Sequence, residues 1–233
     1  MITPRALMLI VVEGLDGAGK STQVRLLREY LAEKCGKVEY IHFPRYDAPV
    51  YGDLISRFLR GDFGSVDEVH PQLVALLYAE DRHGAGPVMK SSIAEGTPVL
   101  LDRYVYSNIA YQCAKLKDSA QRRALRDWIF NTEYGDFQLP VPDLNLYLDV
   151  PISFVENSLN KHRSGSDRDY LSGASDIHEA DIRFQIAVRD VYLEQCALDN
   201  NFLRIDCSDD TGSMANPDLI FSHIKDAVDK VLQ

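Results

Sequence analysis

Residues Val11 to Gln23 read VVEGLDGAGKSTQ, and inside that stretch Gly14, Gly19, Lys20 and Ser21 fall in the order Gly-x4-Gly-Lys-Ser. An apolar run ends at Val12 and a segment of helical period opens near Ser21. The spacing is that of a turn which carries the chain from a strand into a helix around a phosphate. Gly14, Gly17 and Gly19 let the backbone aim its amide hydrogens at phosphate oxygens, and the helix N-terminus adds partial positive charge. Lys20 is spaced to reach the β- and γ-phosphates, and the Ser21 hydroxyl to ligate Mg²⁺. Gly14, Gly17, Ala18, Gly19, Lys20, Ser21 and Thr22 are therefore expected to hold ATP or a similar purine triphosphate with magnesium. A glycine-rich turn that binds nothing is the bland alternative, and strand, Lys-Ser and helix together weigh against it.

That turn also constrains the fold. Strand-length runs rich in Val, Leu and Ile recur as ALMLIVV, VEYIHF, PVLLD, LNLYLDV and FLRID. Several are apolar on both faces, as in a parallel sheet covered on both sides. Helical period occupies 20–35, 50–60, 66–79, 84–95, 106–133, 151–162, 179–198 and 216–232. The alternation predicts an α/β domain of about five parallel strands covered by helices on both faces, with ligands beyond the strands' carboxyl ends. Lys161 to Glu179, KHRSGSDRDYLSGASDIHE, is polar and rich in Gly and Ser. A polar stretch of that length between two helices is expected to be a functional lid.

Composition excludes several classes. The chain has 233 residues, 45% of them hydrophobic, enough for a full core, and a formal charge of −10 that argues against holding a nucleic-acid polymer. Cys35, Cys113, Cys196 and Cys207 form no C-x-x-C pair, so neither a zinc site nor a disulfide framework is expected, and reduced thiols suit a cytoplasmic protein. Arg5 before an apolar run imitates a signal peptide, but Glu13-Gly14 ends the run and no small-residue cleavage site follows. No run reaches the eighteen or so apolar residues of a membrane span.

The phosphate's destination narrows by elimination. A GTP switch needs Asn-Lys-x-Asp and a strand ending in Asp-x-x-Gly; the nearest strings, NKHR at Asn160 and DRHG at Asp81, fit neither. A small kinase remains. Arg45, Arg82, Arg103, Arg163 and Arg168 lie near strand ends or in loops, whereas the six histidines form no constellation. Arginine without a base suits an acceptor that is itself a phosphate monoester, already ionised at neutral pH and needing alignment and neutralisation. A sugar-hydroxyl acceptor would want a carboxylate at the second strand's end, where the chain reads IHFPRY with no acid before Asp47.

EGLDGAGKSTQ, FPRY, LLYAEDR, LLDRYVYSNIAYQ and LYLDVP, in that order, resemble the thymidylate kinase family. The resemblance runs from about residue 7 to 198 and implies a P-loop kinase fold over 1–233 as one domain, with a lid at about 161–179. It implies phosphoryl transfer from ATP-Mg²⁺ to dTMP, no membrane partner, and a homodimer packed through helices such as 66–79 and 106–114. Carried over by motif, Asp16 would bind the deoxyribose 3′-hydroxyl, while Arg103 and Arg45 would meet the acceptor phosphate. Asp102 would help Ser21 hold Mg²⁺. Tyr78 would stack on thymine, Arg82 and Asn108 would read its edge, Tyr111 would crowd the 2′ position, and Phe43 would line the pocket.

Members place the arginine that stabilises the transferring group either at the position of Gly17 or in the lid. Gly17 leaves the lid, with Arg163 or Arg168 as the catalytic candidate beside Lys20 and Arg103. His178 stands where relatives often carry an aromatic; contact with substrate and a solvated, titrating lid residue are both open. Two other readings stay in view: a deoxynucleoside kinase, and a nucleotide-binding protein that regulates without catalysing.

Overall fold

The computed structural model describes residues 9–160, 171, 176–178 and 181–232. Five parallel strands, β1 (Leu9–Gly14), β2 (Glu39–His42), β3 (Val99–Asp102), β4 (Leu144–Asp149) and β5 (Phe202–Asp206), lie in the order β2-β3-β1-β4-β5. They are the five apolar runs. β1, β3 and β4 are buried along their whole length, which is why their sequences show no polar alternation. β1 is central, with Val12 opposite Asp102 on one side and Leu146 on the other. The chain leaves β1 toward β2 at one edge and later returns to the other side, so a crevice opens at β1's carboxyl end.

Among the described residues eight α-helices flank the strands: α1 (Lys20–Cys35), α2 (Tyr51–Leu59), α3 (Pro71–Ala94), α4 (Val105–Cys113), α5 (Ser119–Phe130), α6 (Ile152–Asn160), α7 (Ile182–Leu198) and α8 (Pro217–Leu232). α1 and α8 pack together over the sheet, while α4 packs against β1 between α3 and α7. Ile55, Phe58 and Leu59 of α2 form a smaller cluster with Val74 and Leu171. Among the described residues, no helix is long and apolar enough to cross a membrane.

Two boundaries differ from the periodicity. The helices expected at 66–79 and 84–95 are one, α3, which runs through Gly84, Gly86 and Pro87. Burial of Ala85 and Met89 in the core offsets the hydrogen bond that Pro87 removes. Gly84 is small because Arg45 approaches: a Cβ there would lie 2.9 Å from Arg45 Nη2. The helix expected over 106–133 is broken after Cys113. Asp118 opens a new N-terminus by accepting from Gln121 N at 2.8 Å, and α5 runs on into a π-helical turn, Asn131–Asp136. All nine residues of α4 are buried, so its apolar faces are covered within the chain and leave nothing for a partner.

Candidate active site

The loop between β1 and α1 is anchored by the fully buried Leu15 and turns through Gly17 and Gly19, both at φ +72, the left-handed region that glycine adopts without cost. A Cβ at Gly17 would lie 3.1 Å from Ser158 of α6, so a side chain there would require α6 to give. Lys20 Nζ donates to the Leu15 carbonyl at 3.1 Å. Burial, and then the neighbouring Arg103, push this ammonium down to about 8. Ser21 and Thr22 stand exposed on the first turn of α1. Asp102 ends β3 beside β1, buried, with an Oδ1 that has no hydrogen-bond partner.

Arg103 joins β3 to α4 at φ +68, a conformation costly for any residue that carries a Cβ. Its Nη2 donates to Asp16 Oδ1 at 2.6 Å, and its Nη1 to Ser107 Oγ at 3.2 Å. Asp16 Oδ2 accepts from Tyr111 OH at 2.8 Å and from Gln185 Nε2 at 3.1 Å. Burial pushes the Asp16 carboxyl up, but Arg103, Lys20 and the Tyr111 hydroxyl outweigh it and hold the group at about 2. It is an anion at any physiological pH. A carboxylate fixed so close to a phosphate loop repels phosphate and attracts a hydroxyl donor.

Beyond Asp16 the crevice opens into a cleft of about 520 Å³, its mouth included. Asp16, Phe43, Tyr78, Arg82, Arg103, Asn108 and Tyr111 all line it. Phe43 and the half-buried Tyr78 supply aromatic surface, and α4 supplies polar edges. Arg82 is buried and gives Nε and Nη2 to Glu133 at 2.5 and 2.7 Å. Asn108 Nδ2 donates to Glu133 Oε1 and to the Ala75 carbonyl, both at 2.9 Å, and its Oδ1 is buried without a partner. A small planar molecule with both donors and acceptors on its edge matches such a lining.

Arg45 sits elsewhere. Its backbone N–H and Nε bind the Asp81 carboxylate at 2.9 and 3.0 Å, its Nη2 binds the Asp81 carbonyl, and it does not line the cleft. Asp81, met in the DRHG string, thus lies inside α3 and anchors an arginine. Arg163 and Arg168 lie outside the described residues, as does most of the 161–179 segment.

His178 is not a solvated residue. It is buried in the cleft wall, its ring 5.4 Å from those of Phe58 and Phe184 and 5.2 Å from that of Tyr111. Burial, then Lys115, push it down to about 3, so it does not titrate near neutrality. Its Nε2 is buried without a partner.

Three site residues escape the sequence reading. Gln112 lines the cleft one helical turn beyond Asn108, with Oε1 buried and unpartnered; the i, i+4 spacing was the available signal. Glu133 comes from the π-helical turn, and Gln185 reaches Asp16 across 169 positions while also donating to the His178 carbonyl at 2.9 Å. Nothing local in the sequence marks either.

Parallel sheet, glycine turn and helix at the strands' carboxyl end define a P-loop kinase fold. The sequence profile of the thymidylate kinase family matches residues 12–216. The chain belongs to the thymidylate kinase family and is an enzyme. It is 34% identical over 190 residues to the thymidylate kinase of Mycobacterium tuberculosis, covering 82% of this chain and 86% of that one. The human thymidylate kinase is 34% identical over 145 residues, 62% of each chain. The solved structure of thymidylate kinase from Candida albicans superposes with a TM-score of 0.71 at 25% identity, covering 97% of this chain and 93% of that one. The Ehrlichia chaffeensis structure, at 21% identity and a TM-score of 0.64, shares the fold.

Proposed function

We propose that the chain transfers the γ-phosphoryl group of ATP to the phosphate of dTMP, giving dTDP and ADP. An acceptor phosphate oxygen forms the new bond to the γ-phosphorus as the bond to the β-bridging oxygen breaks, and ADP leaves. The observation that carries this is Asp16, a carboxylate held ionised by Arg103, Tyr111 and Gln185 between the phosphate loop and the cleft. It can take a hydrogen bond from a deoxyribose 3′-hydroxyl but gives a phosphate no welcome.

Lys20 and the loop amides would hold the donor's phosphates. Arg103, beside Asp16, would align and neutralise the acceptor phosphate, which needs no general base because it is already ionised. Phe43 and Tyr78 would bracket the thymine ring. Arg82 keeps Nη1 outside its pair with Glu133, and with Asn108 and Gln112 it would read the base edge. Tyr111, fixed by its bond to Asp16, would crowd the 2′ position. Ser21 and Asp102 fit a magnesium ion, since Asp102 carries a buried, unpartnered carboxylate oxygen beside the loop. Bound magnesium neutralises charge on the β- and γ-phosphates. Arg45 would serve the acceptor by fixing the 43–46 turn through Asp81, and a lid arginine, Arg163 or Arg168, would complete the charge on the transferring group.

The test is coupled ADP release with ATP and Mg²⁺ against dTMP, dUMP, dCMP, dGMP, UMP and thymidine. Release with dTMP well above dUMP and UMP, and none with thymidine, is expected. Release with thymidine alone would make the protein a nucleoside kinase and void the role given to Arg103. We also infer a homodimer that works in the cytoplasm. α3 supports the pairing, because it leaves Leu73 and Val88 exposed. A monomer at micromolar concentration in sedimentation would sink that part.

A further inference from the structure

Glu13 closes the apolar run of β1 and, by charge alone, should not be buried, yet it is fully so. Its two oxygens divide their work. Oε1 accepts from the backbone N–H of Tyr104 at 2.9 Å and of Ser107 at 3.1 Å. Oε2 accepts from Ser107 Oγ at 2.5 Å and from Tyr192 OH at 3.0 Å.

Tyr104 is the N-cap residue of α4 and offers no side-chain cap of its own. Ser107 is the third residue of the helix. Glu13 therefore supplies, from β1, both bonds of a capping box, the one an N-cap side chain makes to the third N–H of the helix and the one a third-residue side chain returns to the N-cap N–H, and its charge faces the positive end of the helix dipole. The capped turn begins one residue after Arg103, whose φ of +68 is unfavourable unless its surroundings enforce it. The Arg103 N–H is fixed on one side by the Val12 carbonyl at 2.9 Å, and Glu13 fixes the residue that follows. The Ser107 hydroxyl completes the link, since it donates to Glu13 and accepts from Arg103 Nη1.

We infer that Glu13 is a positioning residue: it caps α4 from β1 and, through the backbone at Tyr104 and the hydroxyl of Ser107, holds Arg103 where an acceptor phosphate would meet it. The inference rests on the acceptor role proposed for Arg103. Burial raises the Glu13 carboxyl's affinity for its proton, and Ser107, Arg103 and Tyr192 oppose that rise.

Glu13→Gln separates charge from shape. The amide can keep its oxygen on the two backbone N–H groups and turn its NH2 to the hydroxyls, so the cap survives while the anion behind Arg103 is lost. Ser107→Ala cuts the link to the guanidinium and leaves the Tyr104 cap in place. Both are assayed with ATP and dTMP, with melting temperature as a control for folding. For Glu13→Gln, kcat/KM for dTMP should fall about tenfold or more while KM for ATP stays within about twofold; Ser107→Ala should show the same split, smaller. In the Arg103→Lys background, Glu13→Gln should add less than about half of its single effect, because both changes act through one group.

If both variants melt lower but keep kcat and KM for dTMP within about twofold, Glu13 is structural only and the inference fails. An equal rise in KM for ATP would place its action on the phosphate loop, which also overturns it. Should Glu13→Gln not fold, unchanged dTMP kinetics in Ser107→Ala would overturn it alone. Turnover of dTMP by the unaltered protein in the same assay tests the acceptor reading separately.

Discussion

Lys20, Asp16 and His178 share a small volume, and each has its charge set by its neighbours. Lys20→Ala should lower kcat at least ~100-fold, the scale for removing one charge from a transferring group, while the melting temperature holds; normal turnover would refute its place at the donor phosphates. Tyr111→Ala removes one of the three donors to Asp16, leaving Arg103 and Gln185, and opens space beside it. Discrimination of dTMP over ribothymidine monophosphate should shrink by about tenfold, or about 1.4 kcal/mol. Unchanged discrimination would leave Tyr111 a packing residue. His178 has the plainest sign. Its pKa is pushed down to about 3 from 6.5, so between those values the unfolded chain binds a proton that the folded chain refuses. The His178 contribution to stability should fall as pH drops from about 6.5 toward 3, by up to ~1.4 kcal/mol per pH unit, and should be flat above that window. Asp16 adds its own loss only below about 4, as pH falls through its folded value of about 2. Because burial also pushes His42 down, urea titrations of His178→Phe should show a shallower slope between about pH 6 and 4, not a flat one; an unchanged slope in the variant would assign it to another group.

Among the elements, α4 carries more of the site than any other, with Ser107, Asn108, Tyr111 and Gln112 on it and Arg103 just before it. Its helical period was legible. Its burial on every side was not, because apolar residues all round a helix suit a subunit contact as well as a core. α2 shows the reverse, a local choice made for a tertiary reason. A Cβ on Gly52 would lie 2.5 Å from the Tyr46 carbonyl oxygen and 2.6 Å from that of Arg45. Backbone atoms cannot swing aside as side chains do. Gly52→Ala should therefore cost ~1–3 kcal/mol. Since Phe43, Pro44 and Tyr46 border the cleft, it should also raise KM for dTMP more than KM for ATP. Calorimetry and steady-state kinetics together check this; a stable variant with ordinary kinetics would show that the 43–46 turn can shift freely.

At the scale of the molecule, burial decides which groups react. Cys113 and Cys207 are buried and Cys196 is half-buried, and burial pushes all three thiols up to about 12, whereas Cys35 is exposed. Because the thiolate is the reacting form, the native protein should give one fast equivalent with a thiol reagent, Cys35, and the other three only in denaturant. Two or more fast equivalents would mean that α4, α7 or the chain leaving β5 opens readily.

The five strands, the phosphate turn and the family motifs were present in the sequence, because each depends on residues close together in the chain. A run apolar on both faces needs cover on both sides wherever it lies, and a Gly-x4-Gly-Lys-Ser turn makes its own geometry. What the tertiary structure decided is which distant groups meet. Asp81 engages Arg45 and Glu133 engages Arg82 because α3 brings one to the 43–46 turn and packs the other beside the π-helical turn. Gln185 meets Asp16 because α7 lies against α4 over the sheet. Glu13 reads, in sequence, as the charge that ends an apolar run; in the fold it is a capping group. A carboxylate can be buried only where donors converge on it, and those donors come from α4 and α7, which reach it only when the sheet is complete.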